Sequence, residues 1–89
     1  MKEINFDGVE IEFPVNVHFR IICETRDGVQ EAVMRTASRL GVEEQLTEGN
    51  ASSSGKYRTY QLSLLIETHE QMDKIDAGFR ATEGVKMVL

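Results

Sequence analysis

The chain has little cysteine, proline or aromatic character: one Cys, one Pro, no Trp, two Tyr and four Phe among 89 residues. A lone Cys23 cannot close an internal disulfide and excludes zinc sites built on paired cysteines, so the expectation is a protein of the reducing cytoplasm. No apolar run approaches the roughly 18–20 residues of a membrane span, and the opening MKEINFDGVEIEF lacks the apolar heart of a signal peptide. Positive charge is also scarce. Ten Lys and Arg stand against fifteen Asp and Glu, a net charge of -5 with a pI near 4.9. That balance argues against a general nucleic-acid binder, whose affinity comes from clustered basic residues on phosphates. What remains is ordinary for a folded domain, at 40% hydrophobic and 28% charged. The length allows one domain, which buries only about 60–65% of its unfolded surface and so has a thin margin unless packing is good or a partner helps.

Two segments carry the period of a strand. From Val15 to Glu24, Val15, Val17, Phe19, Ile21 and Cys23 alternate with Asn16, His18, Arg20, Ile22 and Glu24. This is the pattern of a half-buried strand, and Pro14 sits just before it, where a missing N–H does least harm. Residues 56–68 form a second strand, with Tyr60, Leu62, Leu64 and Ile66 on one face and Tyr57, Thr59, Gln61 and Ser63 on the other; Leu65 breaks the alternation.

Two segments carry the period of a helix. Val29, Ala32, Val33, Ala37 and Leu40 make one apolar stripe, which predicts a helix over residues 28–40 with Asp27 as N-cap, Gln30 closing a capping box and Gly41 as the stop. Thr68-His69-Glu70-Gln71 is a second capping box, ahead of Met72, Ile75 and Phe79. Gly78 inside this helix costs roughly 1 kcal/mol of propensity, which points to a close approach to the sheet. Residues 42–54 read as a polar edge strand running into a Ser-Gly turn, and residues 85–89 as a final short strand.

The order strand, helix, strand, strand, helix, strand is that of the ferredoxin-like split βαβ fold, an α+β architecture with a four-stranded antiparallel sheet and two helices on one face. In that fold the first and third strands are central, and here they are the most apolar, while the second is the most polar. The domain occupies residues 14–89. Residues 1–13 form an arm or hairpin, with Asp7-Gly8 as the turn and Phe6 or Phe13 available to bury over the open sheet.

Ser53-Ser54-Gly55-Lys56-Tyr57-Arg58-Thr59-Tyr60, Glu70-Gln71-Met72, the terminal Gly84-Val85-Lys86-Met87-Val88-Leu89 and the entry Glu12-Phe13-Pro14 together resemble the YbeD-like family of small bacterial proteins. The resemblance covers residues 12–89. It implies a ferredoxin-like fold similar to small regulatory domains that bind amino acids, including the one in phosphoglycerate dehydrogenase. One fold hosts many functions, so a regulatory role follows only by analogy.

The residues themselves give little support to catalysis. Cys23 shares the apolar face of its strand and reads as a core residue, and His18 has the opposite parity. His69 reads as a solvated first-turn residue, and Asp73 and Asp76 as a wet helix face. Neither a metal nor a cofactor is expected. Arg26-Asp27-Gly28, in the turn from the first strand into the first helix, is loosely similar to the turn at which amino-acid-binding domains hold their ligand. A Gly there admits a ligand to the backbone, and a helix N-terminus offers N–H groups to a carboxylate. The alternative is an interaction module. His18, Arg20, Ile22, Gln61, Leu65, Lys86 and Val88 are assigned to the open sheet face, where three apolar residues would call for a cover: the arm, a second copy or another protein. Pairing through the edge strands at residues 85–89 or 43–52 is a further route to a homodimer. RNA binding on that face lacks the stacked aromatics it needs.

Overall fold

The computed structural model describes the backbone of residues 2–4 and 10–89, and side chains from residue 12 onward. Its elements are β1 (Lys2–Ile4), β2 (Glu10–Glu12), β3 (Val15–Glu24), α1 (Val29–Arg39), β4 (Thr47–Ala51), β5 (Tyr57–Ile66), α2 (His69–Arg80) and β6 (Val85–Val88). β1 and β2 pair with each other as an antiparallel ribbon. The expected Asp7-Gly8 turn and the packing of Phe6 lie outside the described residues.

The main sheet has the order β4-β5-β3-β6. β3 and β5 form its centre over a ten-residue antiparallel ladder, from Val15 opposite Ile66 to Glu24 opposite Tyr57. With the two helices, this is the ferredoxin-like fold expected from the order of periods. Phe19, Ile21, Cys23, Tyr60, Leu62, Leu64 and Ile66 project to the helix side, where Val29, Val33, Ala37, Ile75 and Phe79 meet them. Phe79 and Ile21 are the largest side chains fully removed from water. Thr36 and Thr82 are the buried polar pair, joined hydroxyl to hydroxyl at 2.7 Å, with Thr82 also donating to the Gly78 carbonyl at 3.0 Å.

Several expectations need correcting. Asp27 does not cap α1. Gly28 does, in the left-handed region at φ 87°, with no side-chain hydrogen bond, because the tight strand-to-helix turn needs a positive φ one residue later than an Asp cap would sit. α2 is capped as expected: Thr68 Oγ1 accepts from the Gln71 N–H at 3.1 Å, while Gln71 Oε1 accepts from the Glu67 N–H at 2.9 Å. Gly78 makes room for α1, not for the sheet: a Cβ there would lie 2.9 Å from a Leu40 methyl. Phe13 is buried, but on the helix side, edge-on to His69 with centroids 6.4 Å apart, and not over the open sheet. His69 is accordingly half-buried, 3.4 Å from Asp73 Oδ2.

Val88 is the clearest reversal. Simple alternation puts it on the open face, yet it is 2% exposed in the core, opposite Ile21. The ladder between β3 and β6 shifts register between Ile22 and Cys23, so Val85 and Val88, three apart, both reach the core. A strict two-residue period forbids that; a bulge permits it. Met87 and Leu89 point outward instead, 48% and 61% exposed.

Candidate functional site

Two expected site clusters fall on opposite faces of the sheet. On the open face, His18, Arg20, Gln61 and Leu65 are exposed and Ile22 is half-buried. His18 Nδ1 shares a short hydrogen bond with Ser63 Oγ across the β3–β5 pair. Lys86 is exposed and close enough to Glu24 to help stabilise its charged form. The face is shallow, and the His18 ring stands exposed on it.

Arg26, Asp27 and Gly28 lie elsewhere, at the rim of a cleft of about 290 Å³. The cleft forms where the apolar helix-side face ends. Along β5 the inward positions run Ile66, Leu64, Leu62 and Tyr60, and the next of that parity is Arg58. A cation at a core parity marks the place where helix and sheet diverge and water enters. Glu48 of β4, opposite Tyr60, takes Arg58 in an ion pair at 2.8 Å. The first turn of α1 contributes Gln30 and Glu31, and the β3–α1 turn closes the rim with Glu24, Thr25, Arg26, Asp27 and Gly28. Thr25 ties this turn to the β4–β5 hairpin: its hydroxyl donates to the Gly55 carbonyl at 2.7 Å, and its N–H to the Lys56 carbonyl at 3.1 Å.

Both guanidiniums are already engaged. Arg26 Nε donates to Glu24 Oε2, with Glu83 3.7 Å from Nη2. The hydrogen bond from Arg26 holds the Glu24 carboxyl below its ordinary range. Arg58 is held by Glu48. The lining thus carries four carboxylates against two guanidiniums, and Asp27 and Glu31 are the surplus. At the cleft floor burial raises the Tyr60 hydroxyl, with the neighbouring Cys23 and Glu48 adding to the effect. Burial likewise raises the Cys23 thiol, which is 1% exposed, against the lowering effect of Arg58. Of this lining, the sequence pattern points only to the turn at Arg26, Asp27 and Gly28; Glu31, Glu48, Arg58 and Tyr60 join it through the fold, and the charge at the inward parity of β5 is their signal in the sequence. Among the described residues, no three of the His, Cys, Asp and Glu side chains gather as metal ligands do, and no helix is long and apolar enough to cross a membrane.

Element order and sheet order together define the class, an α+β domain with the ferredoxin-like split βαβ fold. The chain is similar, with a TM-score of 0.61 and 17% identity over 83% of its length and 94% of the other, to the ACT domain from GTP pyrophosphokinase of Chlorobium tepidum. It is similar, at a TM-score of 0.74 and 16% identity over 98% and 93% of the two chains, to the solution structure of protein HP0495 from H. pylori. The family model described as protein of unknown function (DUF493) matches residues 9–89, and the chain belongs to that family. Bacterial relatives described as UPF0250 proteins are 33% identical over 91 residues in Pseudomonas syringae pv. tomato and 28% identical over 89 residues in Shewanella piezotolerans, each match spanning both chains completely. These are the YbeD-like proteins that the motifs of the C-terminal half resemble.

Proposed function

We propose that the protein is a non-catalytic, cytoplasmic regulatory domain whose β3–α1 cleft binds a small zwitterionic metabolite of the amino-acid class. The observation that carries this reading is the pairing, in one cleft, of a helix N-terminus that no side chain caps with two surplus carboxylates. The first-turn amides of Gln30 and Glu31 suit a ligand carboxylate, favoured further by the helix dipole. Asp27 and Glu31 suit an ammonium. A dianion or a phosphate ester would meet net negative charge, since Arg26 and Arg58 are already neutralised. At about 290 Å³ the cleft lies at the lower end of ligand-site volumes, which favours a metabolite of amino-acid size over a nucleotide. The likeness to an ACT domain, a part of a larger enzyme in that case, agrees with a regulatory role.

A thermal-shift panel tests the reading. A matched amino acid at about a hundred times its Kd stabilises by about 2.7 kcal/mol, several degrees for a domain of this size. Dicarboxylates and sugar phosphates should leave the Tm unchanged. Silence across all the amino acids would overturn the reading and favour the interaction module on the open face, where Leu65, Met87 and Leu89 are exposed.

A further inference from the structure

β6 is an outer strand of the main sheet, and the direction of its hydrogen bonds can be read from its ladder. Arg20 and Leu89 exchange both backbone hydrogen bonds, at 3.0 and 2.9 Å. Polar groups in an antiparallel ladder alternate in direction, so the next pair, Ile21 with Val88, is not hydrogen-bonded, and the Val88 N–H and C=O point away from β3. Outward-facing groups of this kind are a template for another strand. The Val88 carbonyl is occupied, however. Arg80, in the last turn of α2, reaches over the edge and donates from Nη2 to the Val88 oxygen at 2.8 Å, while its Nε donates to Asp76 Oδ2, also at 2.8 Å. The guanidinium is therefore clamped at both ends. It also places a charge at the backbone of the edge strand that carries the exposed Met87 and Leu89.

We propose that the Asp76–Arg80 pair is an edge guard that keeps β6 from pairing with β6 of a second copy. The occupant excluded is another molecule of this chain, because antiparallel pairing of two β6 edges would satisfy the outward groups of both copies and join their two exposed Met87–Leu89 strips. This surface is separate from the cleft, and the inference does not depend on ligand binding there.

The test compares the full-length wild type with Arg80→Ala and Arg80→Ser. Serine is too short to reach Val88 and adds no apolar surface, so it separates edge pairing from general stickiness. Light scattering should show a monomeric wild type, with both variants self-associating at least tenfold more strongly. Far-UV circular dichroism identifies which variants are folded. Amide exchange at Val88 should slow at least tenfold in the associated variants, because that N–H acquires a partner. A folded variant that stays as monomeric as the wild type would overturn the proposal. So would association with unchanged Val88 exchange, or a wild type already paired through β6. Should neither variant fold, Asp76→Ala, which frees one end of the clamp, must raise self-association; an unchanged mass would overturn the proposal as well.

Discussion

At the residue scale, glycines and one buried thiol set the chemistry of the turn and the core beside the cleft. Gly84 has φ +91°, and a Cβ there would lie 2.5 Å from a Val29 methyl, whereas a Cβ at Gly28, φ +87°, would meet nothing within 4 Å. Gly84→Ala combines strain with a clash and should cost about 2 kcal/mol or more; Gly28→Ala adds strain alone, about 1 kcal/mol. Denaturant midpoints rank the two. The bulkier Gly28→Val should weaken amino-acid binding at least tenfold by calorimetry, and unchanged affinity would contradict the placement of the ligand. Cys23 gives a pH signature. Its folded pKa is raised by burial. Below the ordinary thiol pKa both states keep the proton and the full stability is present. As pH rises through that value the unfolded chain ionises first, and stability falls until the folded pKa is passed. Cys23→Ala should flatten this alkaline decline while losing about 1 kcal/mol at neutral pH to the cavity. Urea midpoints at neutral and alkaline pH measure both effects.

At the scale of elements, the two helix starts make a controlled pair. Thr68 accepts the Gln71 N–H and caps α2, whereas no side chain caps α1. Thr68→Ala should therefore cost about 1 kcal/mol, and Asp27→Ala less than about 0.5 kcal/mol. Equal losses would mean that Asp27 caps α1 after all. The same pair shows what was legible in the sequence. The bounds of β3 follow from strict alternation over ten residues, and the cap of α2 from Thr and Gln three apart. The start of α1 is ambiguous in the sequence because Asp27 and Gly28 are adjacent and both are cap residues; only the backbone angle distinguishes them. The facing of β6 could not be read at all, since the bulge that turns Val88 inward is a property of the ladder with β3 and leaves no local pattern. The cleft was legible only at its rim. Arg26, Asp27 and Gly28 are contiguous, but Glu48 and Arg58 meet through a strand pairing and come together only in the folded sheet.

For the molecule as a whole, the thin margin expected of 89 residues is met by one continuous core on the helix side of the sheet. Phe79 is its largest wholly buried side chain. Phe79→Ala should remove about 3–5 kcal/mol, a large share of the stability a domain of this size has, and the melting temperature should fall accordingly. The charge distribution agrees with the proposed binding of a small molecule: the chain is acidic overall, and the cleft keeps surplus carboxylates beside a helix start that no side chain caps. The most direct measurement is an amide NMR titration of the full chain with the amino acids of the thermal-shift panel. Saturable shifts centred on residues 26–31, with the open-face amides of His18, Arg20 and Gln61 unmoved, are the predicted result. Shifts confined to the open face, or none with any amino acid, would contradict the account.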